Sequence, residues 1–450
     1  MVIKTEQLTP ALMGKWALSI AAAAAVYFLL PRSDALTDVM CAFLAATTWA
    51  VVVWGLDIMD NVMVGLLLPV FYMMACGVPH RVVLAPWLSD TAILVIGGFS
   101  LGKIIQSTGL GRRIALACVR RMGGSFAGVL AGITVGAAII APFVPSIVGK
   151  GAIFLAIVIS LCDEMGFRAR SREATAIMLA TCFAICSTKM GYLTGAGDLF
   201  MGMGLVDKAM GFHTTWVQYF QLHFPPAVLY TVMSLGIVLV VLRTKTDRKA
   251  LKAAAEAKYA ELGPIGGDEK MAVALFALTL LLLATDSVHH LTPGIVLILI
   301  MGIAFLPGIG LLDRPKLLSI NFTPLFFIMG CMAIGSTGAY LKVTDWLVGL
   351  VEPFFAAAGS DLSVMGSYAV GVLVNFLLTP MAATSALSAP IAEIGAQIGM
   401  DPRVLYFSFQ YGLDNLIFPY EHVLYLFFFS AGYINFREMA LVMGLRMLLC

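Results

Sequence analysis

Long apolar runs recur along this chain from Lys15 to Leu449, and few of them hold a charged residue at the centre. Leu222–Leu242 is the clearest case: it contains no Asp, Glu, Lys or Arg, and tolerates Pro225 and Pro226 near its start. About 20 apolar residues are needed to cross the hydrocarbon of a bilayer. Inside lipid the backbone must satisfy its own hydrogen bonds, which a helix does within one segment. The whole composition agrees: 60% of residues are apolar and 12% charged, whereas soluble domains carry about 25% charged residues. Lipid therefore solvates most of the chain, not one or two spans of it.

The same counts exclude several classes. A net charge of +2 and the lack of a basic–aromatic patch give no reason to expect nucleic acid. The eight cysteines are scattered through apolar runs without CxxC or Cys/His spacing, so neither a disulfide framework nor a zinc site is expected. Cys182 and Cys186 share a helical face, and that spacing reads as small-residue packing, not a metal pair. The run Lys15–Pro31 resembles a signal peptide, but it lacks a small-x-small cleavage site and Pro31-Arg32 closes it like the end of a span. It is read as the first transmembrane helix, with the N-terminus cytoplasmic.

In order, the expected spans are 15–30, 35–56, 62–78 and 87–106, the last bearing GGFSLG. Gly111–Gly124 has arginines at 112, 113, 120 and 121 flanking an apolar centre, which predicts an amphipathic helix at an interface. Apolar stretches 125–141, 151–162 and 174–187 follow, the last breaking at STKMGYLTGAGDLFMGMG. Arg243–Lys270 is polar and reads as a solvated helix plus linker. The second half gives 271–284, 291–306, 322–335, an amphipathic segment at 342–358, 364–378, 404–412, a broken stretch at 414–422, 424–431 and 439–449. The predicted fold is an all-α polytopic membrane protein of about 11 transmembrane helices plus two re-entrant hairpins.

The hairpins rest on a second kind of pattern. Leu378–Pro390, LTPMAATSALSAP, is small, hydroxylated and Pro-bounded between apolar segments. Broken helices near a bilayer midplane use such residues, because free helix ends and open carbonyls then face a cavity. A weaker copy lies at Ala141–Val158, APFVPSIVGKGAIFLAIV. Each half carries a Gly-bearing span, then Thr-Gly, an amphipathic segment, a span, a Pro-bounded tip and a broken stretch. The first amphipathic segment is purely basic, whereas Ala339–Ala358 sets Lys342 against Asp345 and Glu352. Because Lys and Arg mark cytoplasmic loops, the two halves are expected to have opposite orientation, an inverted-topology repeat.

GGFSLGKIIQSTGLGRRIAL (97–116), NFLLTPMAATSALSAPIAEIGAQIGMDP (375–402) and SAGYINFREM (430–439) resemble the divalent anion:sodium symporters, carriers of dicarboxylates, citrate and sulfate. The resemblance implies a homodimeric elevator transporter of a bacterial inner membrane. It implies scaffold parts at 1–120 and 271–360, transport parts at 121–242 and 361–450, and a cytoplasmic linker at 243–270. The family's hairpin tips carry Ser-Asn-Thr and its broken loops Thr-Pro-Pro-Asn. Here the tips read Pro145-Ser146-Ile147-Val148 and Pro380-Met381-Ala382-Ala383, and the loops Gly195-Ala196-Gly197-Asp198 and Phe418-Pro419-Tyr420-Glu421-His422.

The candidate residues follow from cost and chemistry. A lysine at the midplane costs about 2.5–3.5 kcal/mol on insertion scales, so Lys150 and Lys189 need a partner, a cavity or a route to the interface. Both are candidates to face an anion, and Lys150 to supply the charge that sodium supplies elsewhere. Ser146, Ser187, Thr188, Thr194, Pro380, Thr384, Ser385, Asn415 and His422 complete the expected substrate set. Ser146, Gly149, Gly191, Gly195, Asp198, Ala383, Thr384 and Glu421 form the expected cation set, with sodium or a proton as coupling ion, no other cofactor and no metal. Hydroxyls and glycines of this kind also serve plain helix packing, and Asp198 also suits a helix start. Glu421 with His422 offers a proton relay. The reading is a secondary transporter of a small divalent anion, with a cation/proton antiporter or arsenite-type permease as the alternative. An enzyme is not expected, since no HExxH, Asp-rich pair or Ser/His/Asp order occurs.

Overall fold

A computed structural model describes residues 9–56, 58–244, 248–376 and 378–450. The expected cytoplasmic N-terminus at residues 1–8 lies outside the described residues, as do the side chains of 248–251 and 350–358, including Glu352. Every regular element described is helical. The longer helices in chain order are α1 (Pro10–Leu29), α2 (Asp38–Gly55), α3 (Asn61–Cys76), α4 (Asp90–Thr108), α5 (Leu110–Met122), α6 (Phe126–Ile140) and α7 (Ile147–Glu164). Then come α8 (Arg172–Lys189), α9 (Gly197–Met210), α10 (Trp216–Val241), α11 (Arg248–Ala260), α12 (Gly267–Ala284) and α13 (Pro293–Ala304). The last six are α14 (Thr323–Tyr340), α15 (Val343–Asn375), α16 (Pro380–Gln397), α17 (Pro402–Leu413), α18 (Val423–Ser430) and α19 (Phe436–Leu449). The all-α polytopic membrane fold expected from the sequence is what is found.

Five described helical segments are long and apolar enough to cross a membrane: Pro10–Leu29, Asp90–Thr108, Phe126–Phe143, Trp216–Val241 and Thr323–Tyr340. Three shorter ones, Asp38–Trp54, Val62–Cys76 and Pro293–Ala304, are apolar too. The apolar α7 and α8 fall outside this group because of their charges: α7 holds Lys150, Asp163 and Glu164, and α8 holds Arg172, Glu173 and Lys189. They are the two helices that carry the lysines singled out above.

The chain divides into two compact units, one made of Met1–Ala92, Gly204–Phe212 and Phe322–Gln410, the other of Ile93–Met203, His213–Asn321 and Tyr411–Cys450. In the first unit α14 packs on α3, with Trp54 and Trp87 set edge-on to Phe327 and Phe326. The helix α15 is interrupted at Gly359, whose φ of 75° is open to glycine and strained for other residues. It separates the two segments expected at 342–358 and 364–378. Ser367 and Ser408 donate across to Leu405 O and Val364 O, both at 2.7 Å, and so tie α15 to α17. Thr379 caps α16, and Pro380 fills its first turn, where a missing N–H costs nothing.

In the second unit α8 is the centre. Every residue from Ala174 to Lys189 is buried, the pattern of a helix surrounded on all sides. Helices α6, α7, α10, α18 and α19 pack against it. The chain between α6 and α7 is the first expected tip: a single turn at Ala141–Phe143, then extended residues to Ser146, whose Oγ accepts from Gly149 N at 3.0 Å and starts α7. Gly98 of the GGFSLG stretch lies directly on this tip, where a Cβ would collide with the Pro145 ring. The predicted amphipathic helix is α5. It buries Leu110, Gly111, Ala115, Leu116 and Val119 and packs on α6.

Candidate functional site

Two chain breaks in the second unit bring its charged groups together. The first follows α8. Gly191, Gly195 and Gly197 fall within seven residues, and the helix gives way to a single turn at Leu193–Gly195 before α9 begins. A Cβ at Gly195 would overlap the Lys189 carbonyl, so only glycine lets the chain turn back this tightly. The second break follows α17, where Asp414 and Asn415 lead through a short non-helical stretch to the turn Pro419–Glu421, and His422 caps α18.

The side chains converge at these breaks. Lys189 Nζ donates to Asp198 Oδ2 at 2.8 Å and lies 3.9 Å from Asp414 Oδ1. Arg446, from α19, donates Nη2 to Asp414 Oδ2 at 2.7 Å and Nη1 to the Asp414 carbonyl at 3.0 Å. Its Nε reaches Ser234 Oγ at 2.9 Å, and Nη2 also reaches Ser187 Oγ at 3.3 Å. The guanidinium carbon lies 4.5 Å from the Phe183 ring centre and 4.6 Å from that of Tyr230. Tyr230 donates to Asp414 Oδ2 at 3.1 Å, and Asn415 Nδ2 donates to Tyr230 OH at 3.1 Å. Tyr230 and Ser234 are one helical turn apart on α10, which places both on the face turned to Arg446.

Lys150, in the first turn of α7, donates Nζ to the Gly195 carbonyl at 2.8 Å. It is fully buried, as is Arg446, and Lys189 is 1% exposed. Among the described residues no carboxylate lies within ion-pair distance of Lys150. With all groups ionised, the cluster holds three cations, Lys150, Lys189 and Arg446, against two carboxylates, Asp198 and Asp414. An uncompensated charge is costly in a protein interior, so a surplus cation here is a demand for an anion. Polar atoms without partners lie in the same neighbourhood: Asp198 Oδ1, Asp414 Oδ1 and the Tyr411 and Tyr425 hydroxyls find no hydrogen bond among the described residues. Buried polar atoms of this kind call for water, an ion or a ligand.

The other expected site residues divide. Ser187 and Asn415 stand in the cluster. Glu421 accepts from Ile417 N and Phe418 N, and His422 Nδ1 from Leu424 N, so both organise the second break. Ser146 and Gly149 form the cap of α7. Thr188 bonds back to Ala184 O at 2.6 Å, and Gly191 is packed against Phe224. Thr194 donates to Pro142 O at 2.7 Å and accepts from Trp216 Nε1 at 3.2 Å. Thr194→Val removes both bonds while keeping the shape, and is expected to cost about 1–2 kcal/mol of stability in thermal unfolding of the purified protein. Pro380, Ala383, Thr384 and Ser385 belong to the first unit. There Gln410 Nε2 donates to Thr384 Oγ1 at 3.0 Å, and Ser385 bonds to Ala382 O. Arg446, Tyr230 and Ser234 were not picked out from the sequence. The available signal was the charge itself, a lone arginine inside the apolar stretch 439–449.

The family model for the sodium:sulfate symporter transmembrane region matches residues 13–448. The chain belongs to this family. Its members are transporters of small anions, so this integral membrane protein is a transporter and not an enzyme, and a sodium coupling ion is consistent with the family. A Cupriavidus necator membrane protein is 24% identical over 414 residues, 86% of this chain and 79% of that one. The citrate/succinate antiporter of Escherichia coli K12 is 22% identical over 375 residues, 79% of this chain and 75% of that one. A chloroplastic dicarboxylate transporter of Arabidopsis thaliana is 27% identical over 228 residues, 48% of this chain and 40% of its own. The symporter family thus embraces this chain over almost its full length, and the buried cations lie within the matched region.

Proposed function

We propose that this transporter carries a small divalent anion, a dicarboxylate, sulfate or sulfonate, across a bacterial inner membrane. The observation that carries the reading is the buried surplus of positive charge at Lys150, Lys189 and Arg446. The names of the relatives, citrate/succinate antiporter and dicarboxylate transporter, support the same substrate class. Two members of the expected cation set are already engaged by ammonium groups: the Gly195 carbonyl by Lys150 and Asp198 Oδ2 by Lys189. The protein's own lysines therefore stand where a coupling cation would be drawn, which favours exchange of one anion for another over sodium symport. The cation/proton antiporter reading needs unpaired acids, and both candidates are engaged: Asp198 Oδ2 by Lys189, and Glu421 by two backbone amides. A homodimer working by an elevator motion of an inverted repeat, with the N-terminus cytoplasmic, completes the proposal.

The test is counterflow in proteoliposomes. Vesicles loaded with unlabelled succinate, citrate, sulfate or a sulfonate are expected to accumulate the labelled partner anion, and replacing sodium by choline is expected to change the rate less than twofold. No counterflow with any of these anions would end the anion-carrier reading. A strict sodium requirement would end the tethered-cation part and leave the carrier standing. A single protomer in light scattering of the purified protein would remove the dimer.

A further inference from the structure

The four arginines of α5 do not share one fate. At the start of the helix, Arg113 donates Nε to Glu269 Oε1 at 2.6 Å, and its terminal nitrogens reach the carbonyls of Leu262, Gly263 and Pro264 at 3.0–3.3 Å. Arg112 lies 3.8 Å from Glu261. Both are answered by acids or carbonyls of the segment after α11. At the other end neither Arg120 nor Arg121 forms an ion pair among the described residues. Arg120 instead stacks on the Tyr259 ring, 3.8 Å from its centre. These two arginines, Tyr259 and Lys252 line an open groove of about 680 Å³ between α5 and α11. Among the described lining residues the one acid, Glu256, is 3.9 Å from Lys252 in an exposed pair, a geometry worth little in water. Among the described lining residues three cations against one acid leave a surplus of two positive charges.

The position says which anion is at hand. Arg121 lies five residues before Phe126, where the apolar segment Phe126–Phe143 begins. The groove therefore adjoins the end of a segment long and apolar enough to span a bilayer, the level at which lipid headgroups would lie. A guanidinium offers parallel N–H donors matched to phosphate oxygens, and a second guanidinium and an ammonium add charge without a fixed geometry. We propose that the groove between α5 and α11 binds a phosphate group through Arg120, Arg121 and Lys252, that of an anionic phospholipid being the occupant its height favours. Tyr259 holds Arg120 in place by its ring face, and Arg113, bonded to Glu269 and to the carbonyls of Leu262, Gly263 and Pro264, fixes the end of α11 so that the groove keeps its shape. Binding there joins the linker helix to the membrane surface. The site does not depend on which solute the protein transports.

The experiment is lipid retention by native mass spectrometry of the purified full chain in detergent, titrated with phosphatidylglycerol, phosphatidylcholine or inorganic phosphate. Phosphatidylglycerol is expected to be retained at least tenfold better than phosphatidylcholine. The double variant R120Q/R121Q is expected to lose that preference. R121Q alone, which keeps the Arg120–Tyr259 stack, is expected to lose part of it, and R112Q none. Inorganic phosphate that displaces the lipid from the wild type but does not act on the double variant would uphold the site and add a soluble occupant. Equal retention of phosphatidylglycerol by wild type and both arginine variants would overturn the proposal, as would an equal loss in R112Q.

Discussion

Arg446→Met is expected to destabilise the protein by about 3–5 kcal/mol, the range for leaving one member of a buried ion pair without its partner. The loss is large because Arg446 holds one residue twice, through the Asp414 carboxylate at Oδ2 and through the Asp414 backbone carbonyl, and also bonds Ser234 and Ser187. Methionine fills much of the same volume between Phe183 and Tyr230, so the change is one of charge and hydrogen bonding more than of packing. What remains is Asp414, buried, with Lys189 at 3.9 Å as its nearest cation. Lys189 would then have to serve Asp198 and Asp414 together. Arg446→Lys is expected to fall between, since an ammonium is a point charge and cannot reach side chain, carbonyl and two hydroxyls from one fork. The measurement is thermal unfolding of the purified variants. Asp414→Asn in the Arg446→Met background is expected to recover part of the loss, because residues in one network are not additive. If Arg446→Met unfolds at the wild-type temperature, the ion pair is not what holds α19 to the core.

These contacts also show where reading the sequence stops. The helix break after Lys189 was legible from glycine content, and the break after Leu413 from Asp414, Asn415 and Pro419. Both are local effects, set by residues within a few positions of each other. The amphipathic α5 was legible for the same reason. The two lysines were legible by their cost, since an ammonium in an apolar run needs a counterpart somewhere. The counterpart of Lys189, Asp198, is only nine residues on; what the sequence could not supply was the long-range partners. Asp414 is 32 residues from Arg446, and Ser187 is 259 residues from it. Such pairs depend on how α8, α10 and α19 pack, and no spacing rule reports that. Hydroxyls raise the complementary difficulty. Thr188, Ser385 and Ser146 read as ligands because they sit in breaks and tips, yet each bonds within its own turn. A serine facing a cavity and a serine bonded back to its own backbone are identical in sequence. The linker 243–270 reads as solvated, and Lys252, Ala253, Glu256, Ala257 and Ala260 of its helix α11 are exposed. The structure shows it docked on α5, through burial of Ala254 and Ala255, the Arg113 contacts and the Tyr259 stack.

Lys150→Gln is expected to have the opposite signature to Arg446→Met. In this reading Lys150 carries the surplus charge: it is fully buried, it donates to Gly195 O, and among the described residues no carboxylate lies within ion-pair distance of it. A hydrogen bond to a charged group contributes about 1.5–3 kcal/mol. Loss of such a contact to a bound anion weakens affinity by about 10- to 150-fold. Stability is expected to move the other way or not at all, because the variant no longer buries an ammonium whose membrane cost is about 2.5–3.5 kcal/mol. Lys150→Met removes the hydrogen bond to Gly195 as well, and so separates charge from tether. If both variants lose anion binding alike, the charge is what matters; if glutamine retains it and methionine does not, the tether to Gly195 is. The readout is anion affinity in counterflow together with thermal unfolding, measured on the same preparations. A variant that unfolds early and binds poorly would report a damaged fold and make Lys150 a structural residue. A variant that is as stable as the wild type and transports at full rate would place the anion away from α7. Falling affinity with unchanged or rising stability is the combination expected of a ligand-facing cation, because its burial costs stability that a bound anion offsets.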